Sequence, residues 1–352
     1  MNIKNSFCLL IIAAFALTGC KKGATPKPAP VIPDPYENAD VYVVGTTMTT
    51  NGHNIATYWK NGVEVKLGDS TNQSFGNAIA VNGTDVYITG NITDNTLKNI
   101  GSVIWKNGVA TPLPSNSLAR SIALSGNNVY ITGVIPAPSV DALYIKNGNL
   151  VAPNSSSFIN PLAISLNGND VYVVGVTDHI INSFVTETAA YWKNGSEMQL
   201  ENTNSNAYGI AVSGTDVYVA GTISDPATYT STRAVYWKNG SRVALSPGFS
   251  HANAVALNGS DIYFAGGCVS FNQVTPVACY WKNGTIFQIG NPYYASDAFA
   301  MVLNGNDTYI AGDQGTSVTD GSKRPTFWRN GVAVLLPYYG NGQANGIVVI
   351  PH

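Results

Sequence analysis

Histidines, carboxylates and thiols are sparse in this chain, so the residues that could do chemistry are quickly named. His53, His179 and His251 could ligate a metal or move a proton. Asp94, Asp178 and Asp225 could supply the carboxylate pair of a polysaccharide hydrolase or lyase. That chemistry needs a fixed separation of several ångströms between its two groups. Asn-Gly-x-Asp segments such as Asn258–Asp261 superficially suggest calcium, but turn formation alone explains that composition. Cys268 and Cys279 are two thiols with no histidine beside them, a poor metal site. No metal and no cofactor is expected. Whether the other groups can act together depends on the elements that carry them.

Those elements are set by one repeated unit. Trp-Lys-Asn-Gly ends at Gly62, Gly108, Gly195, Gly240 and Gly284, with variants ending at Gly148 and Gly331. Successive glycines are 46, 40, 47, 45, 44 and 47 residues apart, a period that belongs to propeller-like arrays. Asn-Gly between alternating apolar runs is a strong hairpin signal, because a type I′ turn needs positive φ at both central residues. A second landmark, Asp-Val-Tyr-x-x-Gly, covers Asp40–Gly45, Asp85–Gly90, Asp170–Gly175 and Asp216–Gly221, with looser copies ending at Gly133, Gly266 and Gly312. A third, Ala-Ile-Ala-Val, precedes it. Each repeat therefore predicts four short strands, in the second repeat a (Ala78–Val81), b (Val86–Gly90), c (Ser102–Lys106) and d (Val109–Leu113). No repeat shows helical periodicity.

The first repeat lacks strand a, and the last segment, Ala344–Ile350, matches strand a with no strand b after it. Seven complete units result only if the C-terminal segment completes the first one. Circular closure removes the exposed sheet edges that an open array would keep. The expected fold is all-β: residues 37–352 form one seven-bladed β-propeller of four-stranded antiparallel blades. In strand a, Ala78, Ser121, Ala163, Gly209, Ala254, Ala300 and Gly346 form a column of small residues suited to the crowded axis.

In such a blade the a–b and c–d turns share one end, and they are short and uniform here. The b–c and d–a links share the other end and vary in length. Binding sites favour the loop-bearing end of a rigid scaffold, which is called the top face below. The three histidines map to the top of the first, fourth and sixth blades, which argues against a shared metal site. The residue that opens strand a differs from blade to blade: Asn77, Arg120, Leu162, Tyr208, Asn253, Phe299 and Asn345. These residues are expected to ring the top of the central channel. Asn77, Arg120, Tyr208, Asn253, Phe299 and Asn345 are the candidate ligand-binding set, a mixture of amides, one cation and two aromatics suited to a sugar or a peptide.

Charged residues make up 11% of the chain and the net charge is −2, so no basic face is available for nucleic acid. Residues 1–19 read as an export signal, with Lys4 in a positive n-region and an apolar Leu9–Leu17 too short to span a membrane. The segment closes on Leu17-Thr18-Gly19-Cys20, which resembles the lipobox of bacterial lipoproteins. The resemblance implies a lipid anchor on Cys20 and therefore a membrane association. Lys21 and Lys22 follow the cysteine, which in such lipoproteins favours the outer membrane. Residues 20–36 then form a proline-rich tether, with Pro26, Pro28, Pro30, Pro33 and Pro35. In an oxidising compartment Cys268 and Cys279, on neighbouring strands of one hairpin, are expected to form a disulfide.

The Trp-Lys-Asn-Gly hairpins and the following Ala-x-x-Ile/Val-x-x-Gly pattern resemble the HAF-type repeats of exported bacterial β-propeller proteins, over residues 39–350. That resemblance carries no assigned active site. The kelch glycine doublet is matched only at Gly266-Gly267, and the WD40 and sialidase boxes are missing. The expectation is a monomeric, non-catalytic envelope lipoprotein whose top face binds a protein or glycan partner. The alternatives are a polysaccharide hydrolase or lyase using top-face carboxylates, and an envelope assembly scaffold acting through the blade rims.

Overall fold

In the computed structural model the described residues are 34–68, 71–135, 142–154, 159–181, 184–224, 232–246, 248–269, 275–316 and 321–352. The signal segment, Cys20, nearly all of the tether and Asp225 lie outside them.

Seven four-stranded antiparallel sheets form a ring, the expected seven-bladed propeller. Six blades are contiguous in sequence. The first takes its inner strand, Gln343–Pro351, from the chain end and its other strands, Ala39–Met48, Asn54–Lys60 and Val63–Lys66, from the start. Val43 stands opposite Ile347 and Tyr42 opposite Val348, so the closing strand pairs along the length of its neighbour, with one register shift at Asn345.

All seven Asn-Gly turns are type I′ in form. The asparagines at 61, 107, 147, 194, 239, 283 and 330 hold φ of 49–51°, and the glycines after them lie at 77–86°.

Each blade buries both faces against its neighbours. The apolar core is correspondingly divided into seven clusters, each shared by two adjacent blades. The repeat tryptophans fill these layers: Trp59, Trp192, Trp237, Trp281 and Trp328 are fully buried. The cluster of Val41, Val43, Trp59, Phe327, Ala344 and Ile347 joins the first blade to the last, which seals the ring with apolar packing as well as strand pairing.

The strands are longer than the sequence pattern indicates. In the second blade, strand a spans Gln73–Asn82, b Asp85–Thr93, c Asn99–Lys106 and d Val109–Ser115. The sequence reading began strand a at Ala78 because the register shifts between Gly76 and Ala78, leaving Asn77 unpaired. The apolar alternation restarts there, and a strand with a bulge in its middle reads as a strand that begins at the bulge.

Candidate functional site

The bulge recurs in every blade at the same place. The residue it leaves unpaired is Asn77, Arg120, Leu162, Tyr208, Asn253, Phe299 or Asn345. This is the set that sequence reasoning placed at the start of strand a. The structure brings all seven together around the channel. A bulge re-aims the extra side chain, and here it delivers one residue per blade to the axis.

The glycine of the Asp-x-Tyr-x-x-Gly landmark makes the bulge feasible. A Cβ on Gly45, Gly90, Gly133, Gly175, Gly221, Gly266 or Gly312 would overlap a carbonyl oxygen of strand a: Gln343, Phe75, Leu118, Asn160, Asn206, His251 or Asp297. Two of the three sequence landmarks therefore meet at one structural feature, the glycine providing the space into which the bulged strand moves.

The ring residues divide into two groups. The Asn77 amide donates to the carbonyl of Ala119, Asn253 to that of Ala298, and Asn345 to that of Gly76. Each of these carbonyls immediately precedes the ring residue of the next blade, so the three asparagines clasp neighbouring blades. Arg120, Leu162 and Tyr208 make no such clasp. They come from the third, fourth and fifth blades and form one continuous wall. Phe299 stands apart in the seventh. Together with Leu118, Asn91, Gln343 and the asparagines they enclose a cavity of about 440 Å³. Below the ring it continues into a shaft of about 260 Å³ along the small-residue column of strand a.

Arg120 is the sole charged residue among the described residues that line this mouth. Its Nε is buried without an acceptor, and burial lowers the pKa of the guanidinium. The Tyr208 hydroxyl is hydrogen-bonded by Thr222, and burial raises its pKa.

The opposite face is uniform. In each blade the turn asparagine accepts from an amide near the start of strand b, as Asn107 does from Val86 at 2.8 Å. In six blades it donates to the aspartate just before that amide, as to Asp85 at 2.8 Å. The lysine or arginine before the turn bridges the same carboxylate at 2.8–3.0 Å in six blades. It also lies 5.0–5.5 Å from the centre of the strand b tyrosine ring in all seven. In the third blade Asn128 replaces the aspartate, and Lys146 keeps only its place over Tyr130. The carboxylates are held below their ordinary range, Asp40 down to about 2, first by hydrogen bonding to Lys60 and then to Asn61. Asp-x-Tyr and Lys-Asn-Gly are thus the two halves of a structural latch.

The remaining sequence candidates do not assemble into a site. His179 pairs with Glu197 at 2.9 Å, and His251 with Asp297 at 2.8 Å in the next blade. No group of three or more potential metal ligands exists among the described residues. Asp94 spends its carboxylate on its own loop, accepting from the Thr96 amide and hydroxyl and the Lys98 amide. Asp178 faces Glu187 across its hairpin. Cys268 and Cys279 are free, buried thiols, diagonal to one another because Cys268 faces Val277 and Cys279 faces Gly266. The Cys279 thiol donates to Cys268 and lowers its pKa, while burial pushes Cys279 well up.

Sequence reasoning missed one charged cluster. Asp297 and Asp313 stand opposite each other on strands a and b of the seventh blade. Asp313 is almost wholly buried, its Oδ2 lies 3.0 Å from Lys323 Nζ, and its Oδ1 has no partner. Burial pushes its pKa up to about 6. Asp313 follows the landmark glycine directly, where the other blades carry the uncharged Thr46, Asn91, Val134, Val176, Thr222 and Gly267, and that departure was the available signal.

No protein-family model and no curated protein matches the chain. Among solved structures it is similar to the β-propeller domain of the trilobed protease from Pyrococcus furiosus. The two share 12% identity over 86% of this chain and 97% of that one, with a TM-score of 0.52. The acylaminoacyl peptidase of Pyrococcus horikoshii matches at 12% identity and a TM-score of 0.50, over 86% of this chain and 51% of that one. These likenesses show the propeller fold. The first propeller is described as having an open velcro topology, whereas this ring closes through its C-terminal strand.

Proposed function

We propose that this is a non-catalytic envelope lipoprotein, anchored through Cys20, whose channel mouth binds a glycan or protein partner. One observation carries the binding reading. The repeat spends its polar groups on latches and clasps in nearly every blade, yet Arg120, Leu162 and Tyr208 form a wall with no structural duty toward neighbouring blades. A concave, rigid site of mixed apolar and polar lining is the usual form of a ligand pocket. The anchor rests on the Leu17-Thr18-Gly19-Cys20 sequence and on the proline-rich segment after it.

The polysaccharide hydrolase reading has one supporting observation, the facing carboxylates Asp297 and Asp313. Both are held by cations or imidazole from neighbouring strands, His251 and Lys323, as an ion-pair network would be. Binding is therefore the better-supported function. A glycan array probed with the full-length protein and with Tyr208→Ala tests it. The expected result is a defined set of glycans retained by the parent and lost by the variant. Identical profiles for the two proteins would remove the mouth as the binding site.

A further inference from the structure

We propose that the channel mouth takes a polyhydroxylated carboxylate, a sugar acid of the uronate class, with its carboxylate on Arg120. This rests on the binding reading above and names the chemistry of the ligand.

Arg120 is delivered to the axis by the bulge between Ala119 and Ser121, so its position is fixed by backbone pairing. Its Nε is buried with no acceptor, and none of the described residues lining the cavity carries a carboxylate. Arg120 is half-buried as a residue, and its Nε is the part withdrawn from water; a buried donor on a cation without a counter-group is costly. The group that best offsets this is a planar anion able to accept two parallel N–H bonds. No described residue of the mouth supplies one, which leaves the ligand to supply the complement.

The asparagines define the rest of the ligand. Asn77, Asn253 and Asn345 each commit one Nδ2 hydrogen to a backbone carbonyl, which leaves Oδ1 as an acceptor and the second N–H as a donor. These oxygens accept and cannot donate. A simple anion has nothing to offer them, whereas a sugar acid presents hydroxyl donors together with its carboxylate. Tyr208 and Phe299 add two aromatic rings to the lining, a chemistry suited to the apolar C–H surface of a pyranose. The volume of about 440 Å³ lies within the ~300–1,000 Å³ typical of small-molecule sites. A free uronate and the end of an acidic polysaccharide share this chemistry.

Titration calorimetry on the full-length chain in detergent separates the cases, with D-glucuronate, an oligogalacturonate, D-glucose, acetate and sulfate as probes. The expected result is that a uronate binds about tenfold or more tightly than glucose or acetate, as a charge-assisted contact requires. Arg120→Gln should remove that advantage and leave glucose unchanged. Monosaccharide binding would mark a free sugar acid as the ligand, and oligomer binding alone would mark a polysaccharide end. The proposal is overturned if neither uronate binds, if glucose binds equally well, or if Arg120→Gln leaves uronate affinity intact. Sulfate binding as tightly as glucuronate would also overturn it, in favour of a general anion site. Thermal melting of Arg120→Gln guards against misfolding. A glycan or peptide that binds through Tyr208 with Arg120 dispensable would overturn this inference and leave the binding reading standing.

Discussion

The two ends of this propeller are built from the same strands and follow opposite rules. At the bottom, each blade repeats one latch of asparagine, a cation and tyrosine, with aspartate as the counter-group in six blades. At the mouth, each blade repeats one backbone bulge and fills it with a different side chain in four of the seven cases. Repeated side chains mark what the ring needs for closure and pairing. A repeated backbone feature with varied side chains marks a position the ring has left open to another use. The internal repeats permit that distinction within one chain.

The largest effect on this comparison comes from breaking the ring itself. Truncation after Gly342 removes the inner strand of the first blade and the packing of Ala344 and Ile347 on Val41, Val43 and Trp59. It exposes a strand edge and an apolar face together, and the missing strand cannot be replaced locally. The expected loss is several kcal/mol, comparable to a domain's whole stability. Soluble yield and thermal melting check it. A truncated chain that melts like the parent would show that closure contributes nothing.

The next effect separates glycines needed for space from glycines needed for φ. In Gly90→Ala the new Cβ overlaps the Phe75 carbonyl and crowds the Trp105 ring, so a cost above about 3 kcal/mol is expected. Gly83 holds a φ of 59° in an a–b turn with open space around it, and Gly83→Ala should cost only ~1 kcal/mol. Equal losses in chemical denaturation would mean that the bulge does not depend on its glycine.

The latch comes third. Asn107→Ala removes the acceptor of the Val86 amide, the donor to Asp85 and a residue that tolerates φ of 50°. About 2 kcal/mol is expected, from two surface hydrogen bonds and the turn. Chemical denaturation of this variant checks it, and a loss no larger than that of Gly83→Ala would show that the latch adds nothing to the turn.

How much of this was legible in the sequence follows from which signals are local. Hairpins, blade number and closure were readable, because Asn-Gly turns and the displaced Ala344–Ile350 segment are short-range patterns. The mouth residues were readable as a varying position in a constant repeat, but not their bulge, since register is a property of two strands. The division of the ring into clasping and free residues was hidden as well. Asn77 reaches a carbonyl 42 residues away, and an amide that binds a ligand reads the same as an amide that clasps a blade. The pair Asp297–Asp313 was missed because strands a and b must be aligned before the two carboxylates face each other.

That pair supplies an effect similar in size to the latch and of opposite sign to the others. The pKa of Asp313 rises from 3.8 to about 6 on folding, first through burial. A raised carboxyl pKa favours the fold fully below pH 3.8, and that contribution is lost as pH rises through about 6. Asp313→Asn should therefore stabilise the protein at pH 7, by ~2 kcal/mol, and flatten the pH dependence of melting between those values. Unchanged pH dependence would show that Asp313 is ionised across the range.

The smallest expected effect is the sharpest test of the contrast between the two ends. Arg120→Gln, melted without any ligand, should leave the melting temperature unchanged or slightly raised. Arg120 makes no hydrogen bond among the described residues, and its buried Nε lacks an acceptor, so the variant loses no such bond and sheds the cost of a buried, unpaired donor. Its (CH₂)₃ stem packs at the ring, and glutamine keeps part of that contact. Asn77, one blade away at the equivalent bulge, provides the control. Asn77→Ala breaks the clasp to Ala119 and should cost ~1 kcal/mol. If Arg120→Gln destabilises the ring as much as Asn77→Ala does, then Arg120 is a structural member of the ring. The mouth would then have no residue set aside for a ligand's charge.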